Sequence, residues 1–469
     1  MKTIKYTSVS SGLVFFLLSF FGVYNIACTS VFDEKPVKKP NILLILVDDL
    51  GYGDLGCYGG QDIPTPHIDR LASEGIRFTD AHVTCSVCGP SRVSLLSGIY
   101  QQRIGCYWNP DLWSSNGWEL PDSLMILPEA LNKAGYVTGQ IGKWNISPDS
   151  RPYVDEGFDV MLWKGAYYPD EDGTYPGVDR PDFRIEPHGW GPPRPDAEYL
   201  TDRLTGHAID FIKKHRGEPF FLYLAYNTPH TPLQADIKYK EIYRNLKDEP
   251  NRIYAGMVSS LDENIGKILN LLDELGLAQN TLVTFTSDNG PARGGKYIRG
   301  WKEEWPETLL GSAGPLRGHK GQRFEGGHRE PFIIRWPEVL PKGQEYTGLT
   351  STLDLYPTFC SAAGAPFPDN VSLDGVDLIP ILTNKNKNLP HDILFWMTHD
   401  QGAVRTGDWK LIITSDTTRM LFNLQEDLGE ETDLSNANPE RADQLLQSWK
   451  DWSEPFPVSF SDKEKFSVK

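Results

Sequence analysis

The sequence predicts an α/β fold with a large, mostly parallel sheet covered by helices on both faces, followed by a smaller C-terminal antiparallel sheet and one helix. Two observations lead to this prediction. Short apolar runs alternate with helical patterns through most of the chain, as in a parallel sheet with helical crossovers. After about residue 384 the pattern changes to closely spaced strand-like runs and a single helix.

The strands predicted for the main sheet are continuous apolar runs, as expected for strands buried on both faces. They are 41–47, 137–141, 158–162, 220–225, 282–286 and 331–335. Helical patterns separate them, at 66–74, 127–134, 199–214, 253–275 and 353–363. The C-terminal strands are predicted at 393–397, 403–413 and 420–424, with a helix at 439–452. We therefore predict a main domain over residues 39–384 and a smaller subdomain over 385–469.

The N-terminus is typical of an export signal. Two lysines precede an apolar run at 13–23, which is shorter than the about 20 residues that a membrane-spanning helix needs. We predict a signal peptide over residues 1–27 and a location in the periplasm or at the cell surface. Cys28 follows a small residue, as in a bacterial lipobox, so a lipid anchor on Cys28 and simple cleavage after Ala27 are the two alternatives.

The formal net charge of -17 excludes one class of partner. Nucleic-acid binding needs a basic face for the phosphates, so we expect no nucleic-acid partner. An acidic protein also repels anionic substrates at long range. Any anion site in this chain must therefore gather positive side chains locally.

Acidic and amide side chains follow two of the predicted strands. Asp48 and Asp49 end the first strand, and Asp288 and Asn289 end the fifth. An isolated aspartate pair at a strand end is more often a solvated turn. The carboxyl ends of parallel strands share one edge of a sheet, however, where ligands bind. Three carboxylates and one amide oxygen suit a hard cation, and Ca²⁺ accepts an irregular oxygen cage better than Mg²⁺, whereas zinc prefers His or Cys.

Cys88 lies at the predicted start of a helix. Cys85 and Cys88 have the spacing of a redox or zinc pair, but no second such pair follows. The segment 88–92 contains a proline suited to the first helical turn, and the unpaired N–H groups there form an anion site. Arg92 comes four residues after Cys88, about one turn later, so it can reach the same place. The alternative is an ordinary buried cysteine at a helix start.

The segment 88–98, Cys-Gly-Pro-Ser-Arg-Val-Ser-Leu-Leu-Ser-Gly, resembles the signature of the formylglycine-dependent sulfatase family. In that signature the first cysteine is oxidised after translation to formylglycine. Other segments of the chain agree with the family: 41–53, 65–72, 142–144, 227–232, 286–290, 316–321, 403–405 and 409–411. The resemblance covers roughly residues 39–452. It implies an alkaline phosphatase-like fold, one calcium ion, sulfate-ester hydrolysis and a partner enzyme that generates the formylglycine.

The resemblance also implies a role for each matching residue. Formylglycine made from Cys88, in its hydrated form, would be the nucleophile. It would share the calcium ion with four oxygen ligands, namely Asp48, Asp49, Asp288 and Asn289. Three cations would hold the sulfate oxygens, namely Arg92, Lys143 and Lys320. His230 matches the histidine that protonates the leaving alcohol.

One position departs from the family pattern. Where the family has Gly-Lys-Trp-His, this chain has Asn145 after Trp144, and that histidine is the usual candidate base for sulfate release. Three readings are open: another base serves, turnover is slow, or the chain is inactive. His319 lies beside Lys320, and our hypothesis is that His319 is the substitute base. The alternative for His319 is a solvated loop residue.

Export and aromatic residues point to a sugar substrate. The stretch 163–199 is rich in Trp, Tyr, Pro and Arg, and Trp108, Trp113 and Trp118 add aromatic surface on which sugar rings stack. We expect a sulfated polysaccharide or its oligosaccharides, of the ulvan, carrageenan or glycosaminoglycan type. The alternatives are a phosphoesterase of the same superfamily, which would normally use Ser or Thr as nucleophile, and a non-catalytic glycan-binding protein at the cell surface.

Overall fold

An eight-stranded sheet forms the centre of the protein in the computed structural model, which describes residues 38–456 except 110–117, 119, 147–159, 162–197, 296–301, 303–304, 399–400 and 415–417. The strands are β1 Asn41–Val47, β2 Ile76–Phe78, β3 Ala81–His82, β4 Val137–Lys143, β5 Val160–Met161, β6 Phe220–Ala225, β7 Thr281–Ser287, β8 Phe332–Arg335, β9 Gln344–Tyr346, β10 Thr350–Ser351, β11 Ile393–Thr398, β12 Gln401–Thr406, β13 Trp409–Ile413 and β14 Arg419–Asn423. The strand order in the main sheet is β5-β4-β6-β1-β7-β8-β2-β9. Strands β5, β4, β6, β1 and β7 are parallel, whereas β8 runs antiparallel to both of its neighbours. The predicted mostly parallel sheet is confirmed.

Helices cover both faces of this sheet. They are α1 Pro66–Glu74, α2 Cys88–Ser97, α3 Leu127–Lys133, α4 Leu200–Lys214, α5 Ile237–Lys240, α6 Glu249–Glu274, α7 Glu325–His328, α8 Leu355–Ala363, α9 Ile379–Leu382 and α10 Pro439–Ser453. Strand β1 shows how the two layers share one sheet. Its alternate side chains point to opposite faces, so Leu43 and Ile45 pack with α1, α4 and α6, while Ile42 and Leu44 pack with α2, α3 and α8.

The beginnings of two long helices have local causes. Pro250 occupies the first turn of α6, where its missing N–H costs nothing, and α6 therefore begins earlier than the predicted residue 253. Asp262 on α6 accepts hydrogen bonds from the N–H groups of His67, at 3.1 Å, and of Ile68, at 2.8 Å. A side chain of one helix thus satisfies unpaired donors at the start of α1 and fixes how the two helices meet.

The C-terminal part forms the predicted antiparallel sheet, in the order β11-β12-β13-β14, with α10 packed against it. The prediction of one strand over 403–413 is wrong, because a turn at Gly407, whose φ is 51°, divides it into β12 and β13. The short strands β2, β3, β9 and β10 were not predicted, since two or three residues carry too little periodicity. The division between residues 384 and 385 stays a prediction.

The predicted signal peptide at 1–27 and the anchor residue Cys28 lie outside the described residues, as does most of the aromatic stretch 163–199. Only 160–161 of the predicted strand 158–162 is described, as β5. Within the described part of the chain, every helix is too short or too polar to cross a bilayer.

Candidate active site and metal centre

Four of the predicted ligands meet at the carboxyl ends of β1 and β7. The register pairs Val47 with Ser287, so the residues that follow them lie side by side. The N–H of Asp49 donates to Asp288 Oδ1 at 3.3 Å, and the Asn289 side-chain amide donates to Asp49 Oδ1 at 2.7 Å. Asp48, Asp49, Asp288 and Asn289 are all buried. The sheet therefore brings together the carboxylates and the amide as the sequence predicted.

Unsatisfied oxygen atoms at this edge fit a cation. Asp48 Oδ1 and Asn289 Oδ1 are buried and have no hydrogen-bond partner among the described residues. Single ligand atoms of Asp48, Cys88 and Asp288 lie within 4.8 Å of one another. Burial, and then the charge of Asp48, raises the pKa of Asp288 to about 6. Clustered carboxylate and amide oxygens of this kind are the donor set that calcium takes.

Three cations pair with these carboxylates, one with each, and of the three Arg92 and Lys143 are fully buried. Lys143 Nζ lies 2.5 Å from Asp48 Oδ2, and Lys320 Nζ lies 2.5 Å from Asp49 Oδ1. Both guanidinium nitrogens Nε and Nη2 of Arg92 face Asp288 Oδ2, at 2.8 and 2.7 Å. Burial lowers the pKa of Lys143, but the surrounding anionic groups, with Asp48 first among them, together outweigh burial, so the pKa is raised and the ammonium stays charged. The site thus gathers the local positive charge that an anionic substrate requires.

A glycine allows β4 to place Lys143. Gly142 has φ +96°, and a Cβ atom there would lie 2.0 Å from the carbonyl oxygen of Ala225 on β6. A larger residue could not adopt this close, left-handed backbone without displacing β6. The Lys143 carbonyl in turn accepts a hydrogen bond from Arg92 Nη1 at 2.8 Å. The end of β4 and helix α2 are therefore joined at the site.

Cys88 is the first residue of α2, as predicted. Its side chain is fully buried. Asn109 was not predicted to be near it. The N–H of Gly89 donates to Asn109 Oδ1 at 2.8 Å, and the same oxygen lies 3.6 Å from Cys88 Sγ. No motif spacing signals this contact, because Asn109 lies beyond the end of α2 and beyond a short 3-10 helix at Gln101–Ile104.

His230 follows β6 and faces the same carboxylates. Its Nε2 lies 3.5 Å from Asp49 Oδ2. Its Nδ1 lies 2.5 Å from the carbonyl oxygen of Thr231, which only a protonated Nδ1 can use as an acceptor. Nε2 is therefore the ring nitrogen that faces the site.

Asn145 and His319 differ in whether their side chains can accept a proton. Asn145 is buried with φ 56°, and its side-chain nitrogen has no partner among the described residues. The amide can donate a hydrogen bond but cannot take up a proton at neutral pH. His319 is partly buried, and its Nδ1 faces the Lys320 carbonyl at 3.0 Å, leaving Nε2 as the proton acceptor. Burial lowers the pKa of His319, so the ring is neutral at neutral pH.

A second cluster, made of His82, Glu325 and His328, also has ligand-type atoms within 4.8 Å of one another. Cations already occupy it. Lys410 Nζ lies 2.9 Å from Glu325 Oε1 and 3.1 Å from His328 Nε2, and Arg405 Nη1 lies 3.3 Å from Glu325 Oε2. The two imidazole rings face each other, with their Nδ1 atoms 3.0 Å apart. This cluster is a buried salt-bridge network that joins β3 and α7 to β12 and β13 of the C-terminal sheet, and sequence reasoning did not find it.

The aromatic residues near Cys88 divide into two kinds. Trp108 precedes Asn109 and is 43% exposed, which is unusual for a tryptophan. Trp118 instead packs against the core, and its indole N–H donates to the carbonyl of Ile104 at 2.8 Å. Trp118 is therefore a packing residue, and Trp113 lies outside the described residues.

The sequence and the fold are similar to those of known proteins. A family profile described as Sulfatase matches residues 40–365, and one described as N-sulphoglucosamine sulphohydrolase, C-terminal, matches residues 319–450. Arylsulfatase A of Homo sapiens is 33% identical over 466 residues, which cover 88% of this chain and 87% of that protein.

Solved structures also share the fold. The crystal structure of Ps i-CgsB in complex with k-i-k-neocarrahexaose is 33% identical, with a TM-score of 0.76, and the match covers 91% of this chain and 96% of that one. The PsFucS1 sulfatase from Pseudoalteromonas sp. is 26% identical, with a TM-score of 0.72, and the match covers 90% of this chain and 92% of that one.

Proposed function

Because this chain belongs to the sulfatase family and is a sulfuric ester hydrolase, we propose that it removes sulfate from a sulfated polysaccharide or its oligosaccharides, with formylglycine made from Cys88 as the nucleophile. The observation that carries this proposal is the grouping of Cys88 with Asp48 and Asp288 within 4.8 Å. It places the signature cysteine at a cluster of oxygen donors. A cysteine with a purely structural role is not expected among buried carboxylates.

The side chains of this chain have distinct tasks in that reaction. A formylglycine at position 88 and a bound calcium ion would supply the nucleophile and a Lewis acid for attack on sulfur. The four strand-end residues would hold the ion together with residue 88: Asp48, Asp49, Asp288 and Asn289. Three cations would orient the sulfate and offset the charge that develops on its oxygens: Arg92, Lys143 and Lys320.

His230 would protonate the leaving oxygen. An alcohol leaves poorly unless it receives a proton. Nε2 of His230 faces the site, at 3.5 Å from Asp49 Oδ2. For the later removal of a proton during sulfate release we propose His319, since Asn145 has no basic nitrogen. If His319→Ala releases sulfate at the wild-type rate, that assignment is wrong.

Among the classes expected, which also include ulvan and glycosaminoglycans, we propose carrageenan-type substrates. The similar structure of Ps i-CgsB holds k-i-k-neocarrahexaose. In this chain the exposed Trp108 directly precedes Asn109, whose side chain contacts Cys88 Sγ at 3.6 Å. An exposed indole next in the chain to this contact offers a surface on which a sugar ring stacks.

A substrate of this size is met outside the cell, which supports our proposal of export after cleavage of residues 1–27, with or without a lipid on Cys28. Cell fractionation tests the anchor. Release of the protein from membranes without detergent would contradict lipidation of Cys28.

Two measurements on protein from its native host test the function. Peptide mass across residues 83–92 should show formylglycine at position 88, and ion chromatography should show sulfate released from carrageenan, ulvan or glycosaminoglycan oligosaccharides. Cys88→Ala should abolish release, whereas Cys85→Ala, a nearby buried cysteine outside the metal group, should retain it.

Unmodified Cys88 in active protein would overturn the mechanism. Binding of the oligosaccharides without any release of sulfate would favour the non-catalytic alternative. Faster hydrolysis of phosphate esters than of sulfate esters would favour the phosphoesterase.

A further inference from the structure

Lys320 lies in a loop, residues 317–325. Backbone hydrogen bonds hold the middle of this loop next to Ser86, which lies two residues before Cys88. The N–H of Lys320 donates to the carbonyl of Pro291 at 3.0 Å, and the N–H of Gly321 donates to the carbonyl of Ser86 at 2.8 Å. The side chain of Lys320 is 19% exposed and reaches Asp49. A long, partly exposed ammonium side chain stays in place only if the backbone of its loop is held.

Both ends of this loop are held by one residue of the C-terminal part, Glu430. The Arg317 guanidinium donates to the Glu430 carbonyl oxygen, and the N–H of Glu325 donates to Glu430 Oε2 at 2.6 Å. The other carboxylate oxygen, Oε1, lies 2.9 Å from Lys410 Nζ on β13. Glu430 is completely buried. A single side chain and its own carbonyl thus clamp the loop at its first and last residues.

The backbone conformation of Glu430 indicates that the surrounding contacts hold this residue in position. Its φ is 51°, in the left-handed region, which costs a residue with a Cβ about 1 kcal/mol or more. Such a conformation persists where surrounding contacts determine it. The ring of Phe324 in the loop also packs near Phe422 on β14, with 6.3 Å between centroids, and the Arg317 guanidinium stacks over Phe324 at 4.0 Å. The loop is therefore seated on the C-terminal sheet.

We propose that Glu430 is a positioning residue for Lys320, through which the C-terminal sheet sets the geometry of sulfate binding. This inference rests on the proposed function, in which Lys320 holds a sulfate oxygen. Glu430 itself does not touch the substrate. It acts by holding Arg317 and Glu325, and so the loop between them, at the distance that keeps the ammonium beside Asp49.

The competing explanation is that Glu430 only neutralises Lys410 inside the C-terminal part. The two explanations differ in one measurable coupling. A residue that acts through Lys320 has no further effect on catalysis once Lys320 is gone, whereas a residue with a separate structural role changes activity by the same factor in either background. Thermal stability does not distinguish them, because losing the contacts of Glu430 destabilises the protein in both cases.

A double-mutant cycle tests the inference, using sulfate release from carrageenan oligosaccharides by wild type, Glu430→Ala, Lys320→Met and the double variant. We expect kcat/KM to fall about 10-fold to 100-fold in Glu430→Ala and further in Lys320→Met. The double variant should match Lys320→Met within about two-fold. Glu431→Ala, an exposed glutamate next in the chain, is the matched control and should keep wild-type kinetics.

Two results would overturn the positioning role: a double variant whose loss is the product of the two single losses, or a Glu430→Ala enzyme with wild-type kcat/KM. Wild-type activity of Lys320→Met would instead contradict the part of the proposed function that assigns sulfate binding to Lys320. If Glu430→Ala does not fold, Glu430→Gln replaces it. It keeps an acceptor for the Glu325 N–H but loses the charge that faces Lys410, so a smaller loss with the same dependence on Lys320 is expected.

Discussion

Lys143 Nζ lies 2.5 Å from Asp48 Oδ2, and neither side chain has any exposed surface. A buried ion pair of this kind contributes little net stability by itself, because both ions lose their hydration. Removing one partner is costly, however, since the other charge stays buried. The pair therefore ties the stability of the fold to the chemistry of the site.

Lys143→Met should lower both stability and activity. In the presence of EDTA we expect the free energy of unfolding to fall by about 3 kcal/mol, because Asp48 is left buried and unpaired. We expect kcat/KM to fall by about 100-fold or more, since Lys143 holds a sulfate oxygen in the proposed function. Urea denaturation and sulfate release measure the two effects. Lys213→Met, at an exposed position of α4, is the control, and a Lys143→Met protein as stable as this control would contradict the prediction.

Asp288→Asn should weaken calcium binding at least about tenfold, because it removes one of the three carboxylate charges at the strand ends. Isothermal titration with Ca²⁺ gives the affinities directly, and treatment of the wild type with a chelator should abolish sulfate release until Ca²⁺ is restored. Asp210→Asn, an exposed residue of α4, should bind Ca²⁺ like the wild type. Equal affinities of the Asp288 variant and the wild type would show that the ion binds elsewhere.

Asn109→Ala should reduce kcat/KM by about tenfold while leaving the formylglycine content unchanged. The variant removes the acceptor for the Gly89 N–H, so the start of α2 and the residue at position 88 lose a contact that orients them. Peptide mass separates this effect from a failure of maturation. Asn132→Ala, on the exposed side of α3, is the control, and unchanged kinetics in Asn109→Ala would exclude an orienting role.

His391→Gln should destabilise the protein in acidic solution only. His391 Nε2 lies 2.8 Å from Asp354 Oδ1. Burial lowers the pKa of His391, but the charge and the hydrogen bond of Asp354, together with the charges of Asp374 and Asp392, outweigh burial, and the pKa is raised. A raised histidine pKa stabilises the fold fully below the unfolded value of about 6.5, and this stabilisation is lost as the pH rises through the folded value.

We expect the variant to lose about 1–2 kcal/mol of unfolding free energy at pH 6 and little at pH 9. Denaturation of both proteins at the two pH values checks this. A loss of equal size at both values would mean that the contact depends on packing and not on the histidine charge.

Much of the site could be predicted because its residues follow strands that the sequence marks as continuous apolar runs. Strands β1 and β7 are continuous apolar runs, so their polar neighbours Asp48, Asp49, Asp288 and Asn289 had to lie at one sheet edge. The helix start at Cys88 and the position of Arg92 one turn later likewise follow from local chemistry. The antiparallel direction of β8 could not be predicted, since an apolar run of four residues carries no information on its direction.

The sequence alone determined the layered α/β fold, the oxygen-rich strand ends and the place of Cys88 at a helix start, because each depends on residues close together in the chain or on one repeated pattern. Only the tertiary structure decided which cation pairs with which carboxylate, that Asn109 contacts Cys88, and that Glu430 holds the Lys320 loop. These contacts join residues far apart in the chain. No local preference encodes them, and they follow from how the two sheets and their loops pack.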